Sequence, residues 1–324
     1  MSSSEFSGYP IRHTLDLNAL PEGQISRFWM DLVANGIGQD ILVPVVVAKG
    51  AQPGPVVGLT AVVHGNELNG LKIIQRLFGE LDPATLAGTV VGVPVVNVPS
   101  ILNYERRFND GEDLNRIMPG NESGNRSQVY AARIVSRIVS HFDYLMDLHT
   151  ASFGRINSYY IRANMASRTS RKLALLQNAE IILNNAGADG TLRAAASDLG
   201  IHAITLEVGD PNRFQKGVIR SGLEGVYNVL ADLGVTQDKV QPADEAAVIC
   251  PSSQWLYADR GGILEVKVDL TDVVKTGQQI ATIRDIFGRV IRNYEAPYEG
   301  IVIGKSTHPV GQTGSRIVHL GRLS

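Results

Sequence analysis

Apolar residues in this chain alternate between short continuous runs and stretches with helical spacing, and the alternation predicts an architecture. The run VVGLTAVV at 56–63 reads as a strand buried on both faces, followed by a helix over about 67–80 and a second strand at 89–98. A helix over about 127–141 and a strand at 143–148 continue the pattern. Further on come a strand near 157–162, helices near 168–180 and 190–199, a strand at 203–208 and a helix near 216–233. Near-continuous apolar strands separated by helices indicate an α/β fold with a mixed, mostly parallel sheet covered on both faces. Residues 10–50 read instead as strands joined by turns, with Asn35-Gly36 as a hairpin signal between two apolar stretches.

Two segments break the alternation. Residues 99–126 (PSILNYERRFNDGEDLNRIMPGNESGNR) are long, polar and aperiodic. A structureless stretch of that length inside a domain is usually functional or disordered, and its arginines and asparagines point to function. Residues 237–247 read as a linker, after which short strands with Gly and Pro turns indicate a small all-β module of about 75 residues. The expected division is a larger domain over 1–240 and a β module over 241–324.

Composition narrows the partners. With 44% hydrophobic and 19% charged residues, the 324-residue chain is an ordinary globular one, large enough for this division. A net charge of −2 gives no reason to expect nucleic acid or an anionic membrane as partner. The one cysteine, Cys250, excludes an internal disulfide framework, suits a reducing cytosol, and reads as a packing residue. Neither a signal peptide nor a membrane span is expected, and no glycine-rich nucleotide loop has the required spacing. A cytoplasmic location is the expectation, and a homo-oligomer is left open.

The candidate chemistry lies at strand ends. His64 follows the 56–63 strand, and Glu67, three residues on, shares its face if both begin a helix. His149 ends another buried strand, and ligands in open α/β sheets bind at the carboxyl ends of strands. Two imidazoles and one carboxylate, with a fourth position left to water, make a catalytic zinc set. Asp147 points to the same side as His149 and either orients an imidazole or is a plain pocket-wall acid. Glu207 is a carboxylate among apolar residues, either a proton acceptor beside metal-activated water or one half of an ion pair, with Arg213 as the partner. Arg106, Arg107, Asn115 and Arg116 share the irregular loop, where guanidinium groups could hold a carboxylate or an oxyanion, or simply form a solvated face.

Taken in order, HGNE at 64–67, DLNR at 113–116, DLHT at 147–150 and LEVG at 206–209 resemble the motifs of the succinylglutamate desuccinylase/aspartoacylase family, a branch of the zinc metallocarboxypeptidase fold. The resemblance implies that His64, Glu67 and His149 bind Zn²⁺, that Asn115 and Arg116 hold a substrate carboxylate, and that Glu207 activates water. It also implies an arginine upstream of the Asn-Arg pair that polarises the scissile carbonyl. Arg107 is the choice, with Arg106 as the alternative because the spacing to Asn115 is one residue longer than the family's. The segments GGILEVKVDLTDVVKTGQQIATIRD and EAPYEGIVIG resemble the half-repeats of a biotinyl/lipoyl barrel-sandwich, but the hairpin ATIRDIFGRV lacks the lysine that carries the cofactor. The expected role of the module is to shape access to the active site.

The implied activity is zinc-dependent hydrolysis of the amide bond of a small N-acyl amino acid or related carboxylate, a carbon–nitrogen bond other than a peptide bond. The alternative is a metallocarboxypeptidase that releases a C-terminal residue. A non-enzymatic zinc-binding protein would lack a catalytic group, and none of the expected residue types is missing. Selectivity is expected from residues within 151–165 and 209–220.

Overall fold

The computed structural model describes residues 5–323. The N-terminal part runs β1 (Glu5–Phe6), β2 (Tyr9–Arg12), β3 (Gln24–Ala34), β4 (Asp40–Lys49), β5 (Gln52–Ala61), α1 (Asn69–Glu80), β6 (Ala87–Val93), α2 (Val98–Leu102) and α3 (Arg126–Arg137). There follow β7 (Tyr144–His149), β8 (Arg155–Asn157), β9 (Tyr159–Ala163), α4 (Arg168–Leu175), β10 (Ile181–Asn184), α5 (Leu192–Asp198), β11 (His202–Val208), α6 (Lys216–Asp232) and β12 (Val248–Cys250).

Eleven of these strands form one sheet in the order β1-β2-β3-β4-β6-β5-β7-β11-β9-β10-β12. Its centre is parallel, β6-β5-β7-β11, while β3, β4 and β9 introduce antiparallel pairings. The central strands are mainly apolar because both faces are covered, and their buried polar residues, among them Asp147, His149 and Glu207, lie toward the carboxyl ends. Ile73, Ile74, Leu77 and Phe78 of α1 pack with Leu223, Val226 and Leu230 of α6 on one face; Tyr130, Ile134 and Val135 of α3 pack with Leu192 and Ala196 of α5 on the other. Gly58 of β5 lies under the Phe142 ring, so close that a Cβ there would sit 2.1 Å from it. A capping box, Asn125 with Gln128, starts α3.

Several expected elements are corrected in extent. The 89–98 strand stops at Val93, because Pro94 has no N–H to continue the ladder; the chain turns so that Val96 and Asn97 donate to the carbonyls of Ala61 and Val62. The 168–180 helix ends at Leu175, and the short run Ile181–Asn184 is an additional strand, parallel to β9 and β12. Cys250 is a buried packing residue of β12, its thiol pushed up to about 11 by burial.

The remaining strands are β13 (Ser253–Tyr257), β14 (Gly262–Val266), β15 (Val273–Val274), β16 (Gln279–Arg284), β17 (Val290–Glu295), β18 (Gly300–Ser306), β19 (Val310–Gly311) and β20 (Arg316–Arg322). They make two small sheets, β13-β20-β18-β15 and β17-β16-β14-β19, around a core that includes Leu264, Ile280, Ile283, Val302, Ile317 and Leu320. β8, from the body of the protein, pairs with β18 and extends the first of these sheets, while β12 returns to the edge of the main sheet. The β16–β17 hairpin ends in an exposed tip, Asp285–Arg289, in which the Asp285 carboxylate accepts from the N–H groups of Phe287 and Arg289. Among the described residues no helix is long and apolar enough to cross a membrane.

Candidate active site

Parallel strands that are neighbours end at the same edge of the sheet. In β5, β7 and β11 the register aligns Thr60 with Asp147 and Asp147 with Thr205, and one further pair opposes His149 to Glu207. His64, three residues beyond β5, therefore reaches the same place as the ends of β7 and β11. Val62, a β-branched residue, adopts a left-handed backbone (φ 56°) at the exit from β5. That conformation costs roughly 1–3 kcal/mol, held in place by fully buried surroundings immediately before His64.

His64 and Glu67 meet through a turn rather than a helix. The Glu67 N–H donates to the His64 carbonyl at 3.1 Å, and α1 begins only at Asn69. Gly65 is required at this turn, since a Cβ would lie 2.2 Å from the backbone of Ser100 in α2. The Asn69 side chain then donates to the Val208 carbonyl at 2.8 Å and accepts from the Gln215 N–H at 3.0 Å, locking the start of α1 to the end of β11.

The three expected ligands converge. One ligand atom from each of His64, Glu67 and His149 lies within 4.8 Å of the others, and all three residues are buried. Nδ1 of His64 lies 2.8 Å from one Glu67 carboxylate oxygen, and Nδ1 of His149 lies 2.9 Å from the other. The outer nitrogens are occupied: Nε2 of His64 is 3.0 Å from Asp113, and Nε2 of His149 is 2.8 Å from Asp147. Asp147 in turn accepts from the Thr60 hydroxyl at 2.7 Å. With each Nε2–H given to a carboxylate, both Nδ1 lone pairs face the Glu67 carboxylate, an arrangement that a cation resolves. The residues thus fit a zinc ion. Burial alone would raise the Glu67 carboxyl, but the adjacent His64 and His149 hold it well below the ordinary value. Burial opposes the charged form of His149, and the adjacent Asp147 and Glu67 raise it well above the ordinary range. Asp113, against burial, is held low by His64 and Arg106.

These groups line a cavity of about 340 Å³ that also includes Asn115, Arg116 and Glu207. The Asn115 side-chain oxygen Oδ1 accepts from the Leu192 N–H at 2.8 Å, which binds the irregular loop to the start of α5. Glu207 is nearly buried and accepts from Nε of Arg162 at 3.0 Å and from Asn157 at 3.3 Å. Its ion pair is thus with Arg162 on the neighbouring strand β9; Arg213 pairs with Asp210 instead.

Arg107 does not line the cavity. Its guanidinium donates to the Gly111 carbonyl at 2.6 Å, outside the cavity lining. Arg106 turns inward and donates to Glu67 at 3.2 Å, to Ser152 at 3.0 Å and to Asp113 at 3.0 Å. Asp113 therefore braces both His64 and Arg106, a role that the DLNR motif hinted at by placing an acid two residues before Asn115. Residues 151–165 do contribute to the wall, through Ser152, Arg155, Asn157, Tyr160 and Arg162. Residues 209–220 do not; Arg193 of α5, and Trp255 and Arg316 of the β module, take that place. Arg193 is buried against Asn185, its pKa lowered to about 10 by burial and by the Arg162 charge.

The succinylglutamate desuccinylase/aspartoacylase catalytic-domain family matches residues 53–233. An N-alpha-acetyl-L-2,4-diaminobutyric acid deacetylase of Halomonas elongata is 24% identical, over 82% of this chain and 81% of its own length. A succinylglutamate desuccinylase of Pseudomonas paraeruginosa is 30% identical over 48% of this chain, which spans about half (51%) of that relative. Among solved structures, a succinylglutamate desuccinylase/aspartoacylase from Rhodobacter sphaeroides superposes with a TM-score of 0.84 at 25% identity, covering 96% of this chain and 98% of that one. The product-bound ectoine utilization protein EutE (DoeB) of Ruegeria pomeroyi reaches the same TM-score at 19% identity, covering 94% and 98%, a likeness of fold.

Proposed function

The chain belongs to the succinylglutamate desuccinylase/aspartoacylase family, and from that footing we propose that it is a zinc-dependent deacylase that hydrolyses the amide bond of a small N-acyl amino acid. The observation that carries this reading is the convergence of His64, Glu67 and His149 with Glu207 in one cavity. At about 340 Å³ the cavity is at the small end of ligand pockets, which span roughly 300–1,000 Å³, and part of its wall is the β module. That size favours a small N-acyl amino acid over the peptide of a carboxypeptidase.

His64, Glu67 and His149 would hold the ion, with Asp113 and Asp147 fixing the two imidazoles. When bound, zinc supplies Lewis acidity that makes water nucleophilic near neutral pH and polarises an amide carbonyl. Glu207, oriented by Arg162 and Asn157, takes the proton of the attacking water and returns it to the departing amine. Arg106, rather than Arg107, faces the developing oxyanion. Asn115 and Arg116 hold the substrate carboxylate and so fix the reacting geometry.

The Halomonas relative is named for a diamino acid. A free ammonium on the substrate would want a carboxylate partner, yet Glu67, Asp113 and Glu207 are each already engaged. We therefore assign this chain a substrate whose charge is acidic. The test is a turnover screen of the zinc-loaded protein on N-acyl amino acids and short peptides, together with Glu207→Gln. The variant is expected to lose about 10²–10⁴-fold in kcat while metal analysis still finds zinc. Undiminished activity in the zinc-loaded variant would sink the reading, and preferential cleavage of peptides would turn it toward a carboxypeptidase.

A further inference from the structure

The two most exposed large apolar side chains of the β module are neighbours. Phe287 is 94% exposed and Ile286 79%, both at the tip of the β16–β17 hairpin, and the exposed Val290 and Ile291 carry the apolar run into β17. The tip is a built turn. The Asp285 N–H donates to the Arg289 carbonyl at 2.9 Å and the Gly288 N–H to the Asp285 carbonyl at 3.0 Å, while Gly288 takes the left-handed backbone the turn needs (φ 88°). With the Asp285 carboxylate holding two further N–H groups, the hairpin presents Ile286 and Phe287 at a fixed place, and little order remains to be lost when a partner buries them.

The plug is flanked by positive charge. Arg289 is exposed and, among the described residues, has no carboxylate at ion-pair distance, while the one acid of the tip, Asp285, is engaged inside the turn. A surface of the opposite character lies elsewhere on the chain. A groove of about 960 Å³ is lined by both the body and the β module, with apolar surface from Pro242, Val248 and Ile301. Its acids are Glu180, Glu224, Asp244 and Glu245, against the single guanidinium of Arg220. All four carboxylates belong to exposed residues, and among the described residues none has a cation at ion-pair distance. The tip of the same chain stands in solvent and does not fill this groove.

We propose that the Ile286–Phe287 tip of one chain seats in the acidic groove of a second copy, with Arg289 against the groove's carboxylates. The occupant follows from charge. A basic apolar plug and an acid-lined apolar groove on the same chain attract tip to groove between like copies, whereas tip against tip would set Arg289 against Arg289. Reciprocal seating closes a twofold dimer, and one-way seating continues into a ring or filament. Because the groove takes its lining from the 242–248 segment and from Thr271 and Ile301 of the module, a seated tip also bridges the two parts of the chain it enters. The interface stands or falls independently of the deacylase reading.

The experiment is sedimentation velocity of the full chain between about 1 and about 100 μM, where the wild type should self-associate. Phe287→Asp should weaken that association at least about thirtyfold, and the double variant Glu180→Arg/Glu245→Arg at least about tenfold. Ile37→Asp, at the equally exposed tip of the β3–β4 hairpin (80%), should leave it unchanged. All three changes are at exposed positions, and circular dichroism with a melting curve checks that each variant is folded. The decisive measurement is a mixture. Phe287→Asp keeps an intact groove and the double variant an intact tip, so each should be monomeric alone and the two together should form a complex of one chain of each. A wild type that stays monomeric up to about 100 μM overturns the proposal, even if the tip binds some other protein. So does association unmoved by Phe287→Asp, a double variant that associates like the wild type, or a mixture that stays monomeric.

Discussion

The wall of the cavity that carries His64, Glu67, His149 and Glu207 and the wall that carries Arg155, Trp255 and Arg316 are built by different means. The first is supplied by three neighbouring parallel strands, β5, β7 and β11, whose register alone brings their ends together. Every charged group there is braced by another: Asp113 and Asp147 on the imidazoles, Arg162 on Glu207. The second is assembled within one sheet of the β module, where β18 pairs with β20 and with β8, a strand lent by the body of the protein, and the guanidinium groups of Arg155 and Arg316 lie near the Trp255 ring. The contrast separates two functions. A wall already satisfied by its own residues holds geometry for chemistry, while a wall with spare charge waits for a ligand.

Substitutions can break or sharpen this contrast. The largest effect is expected at Arg106→Ala, with kcat down by about 10²–10³-fold in a steady-state assay, while Arg107→Ala, one residue on but outside the cavity, stays within about twofold. Equal losses at the two positions would remove the distinction drawn between them. Next comes Asp147→Asn, which leaves the core packing alone but weakens the hold on His149; zinc affinity measured by chelator competition should drop about 10–100-fold. Trp255→Ala should have the smallest effect, raising KM about fivefold with kcat nearly unchanged, as expected for a platform that orients cations without touching the reacting bond. A kcat loss at Trp255 comparable with that at Arg106 would mean the two walls are not separate in function.

The wall with His64, Glu67 and His149 was legible because its information is local. Apolar runs mark the buried strands, and HGNE and DLHT sit at their ends, so the convergence of His64, Glu67 and His149 follows once the strands are parallel neighbours. Even there the reason differed, since a turn at Gly65 rather than a helical face brings His64 to Glu67. Which of Arg106 and Arg107 turns inward was not legible, because no periodicity distinguishes two adjacent side chains on an irregular loop. That choice is made by Asp113, Ser152 and Glu67, which reach Arg106 from three separate segments. Arg162 carried a usable signal, a cation in an apolar strand two residues from Tyr160, and the antiparallel register of β9 with β11 turns it into the Glu207 partner. Residues 209–220 stay out of the cavity lining, where Asp210, Arg213 and Gln215 bond among themselves and to Asn69, anchoring α6 to α1.

By itself, then, the sequence determined the α/β character of the body, the β character of the C-terminal part and the residue types at the strand ends, since periodicity and short motifs are properties of covalent neighbours. Tertiary structure decided which arginines face the cavity and that the β module closes part of its wall. Those outcomes depend on pairings such as Asn157 with Gly304, between residues far apart in the chain, where neither partner's local sequence holds the energy of the contact.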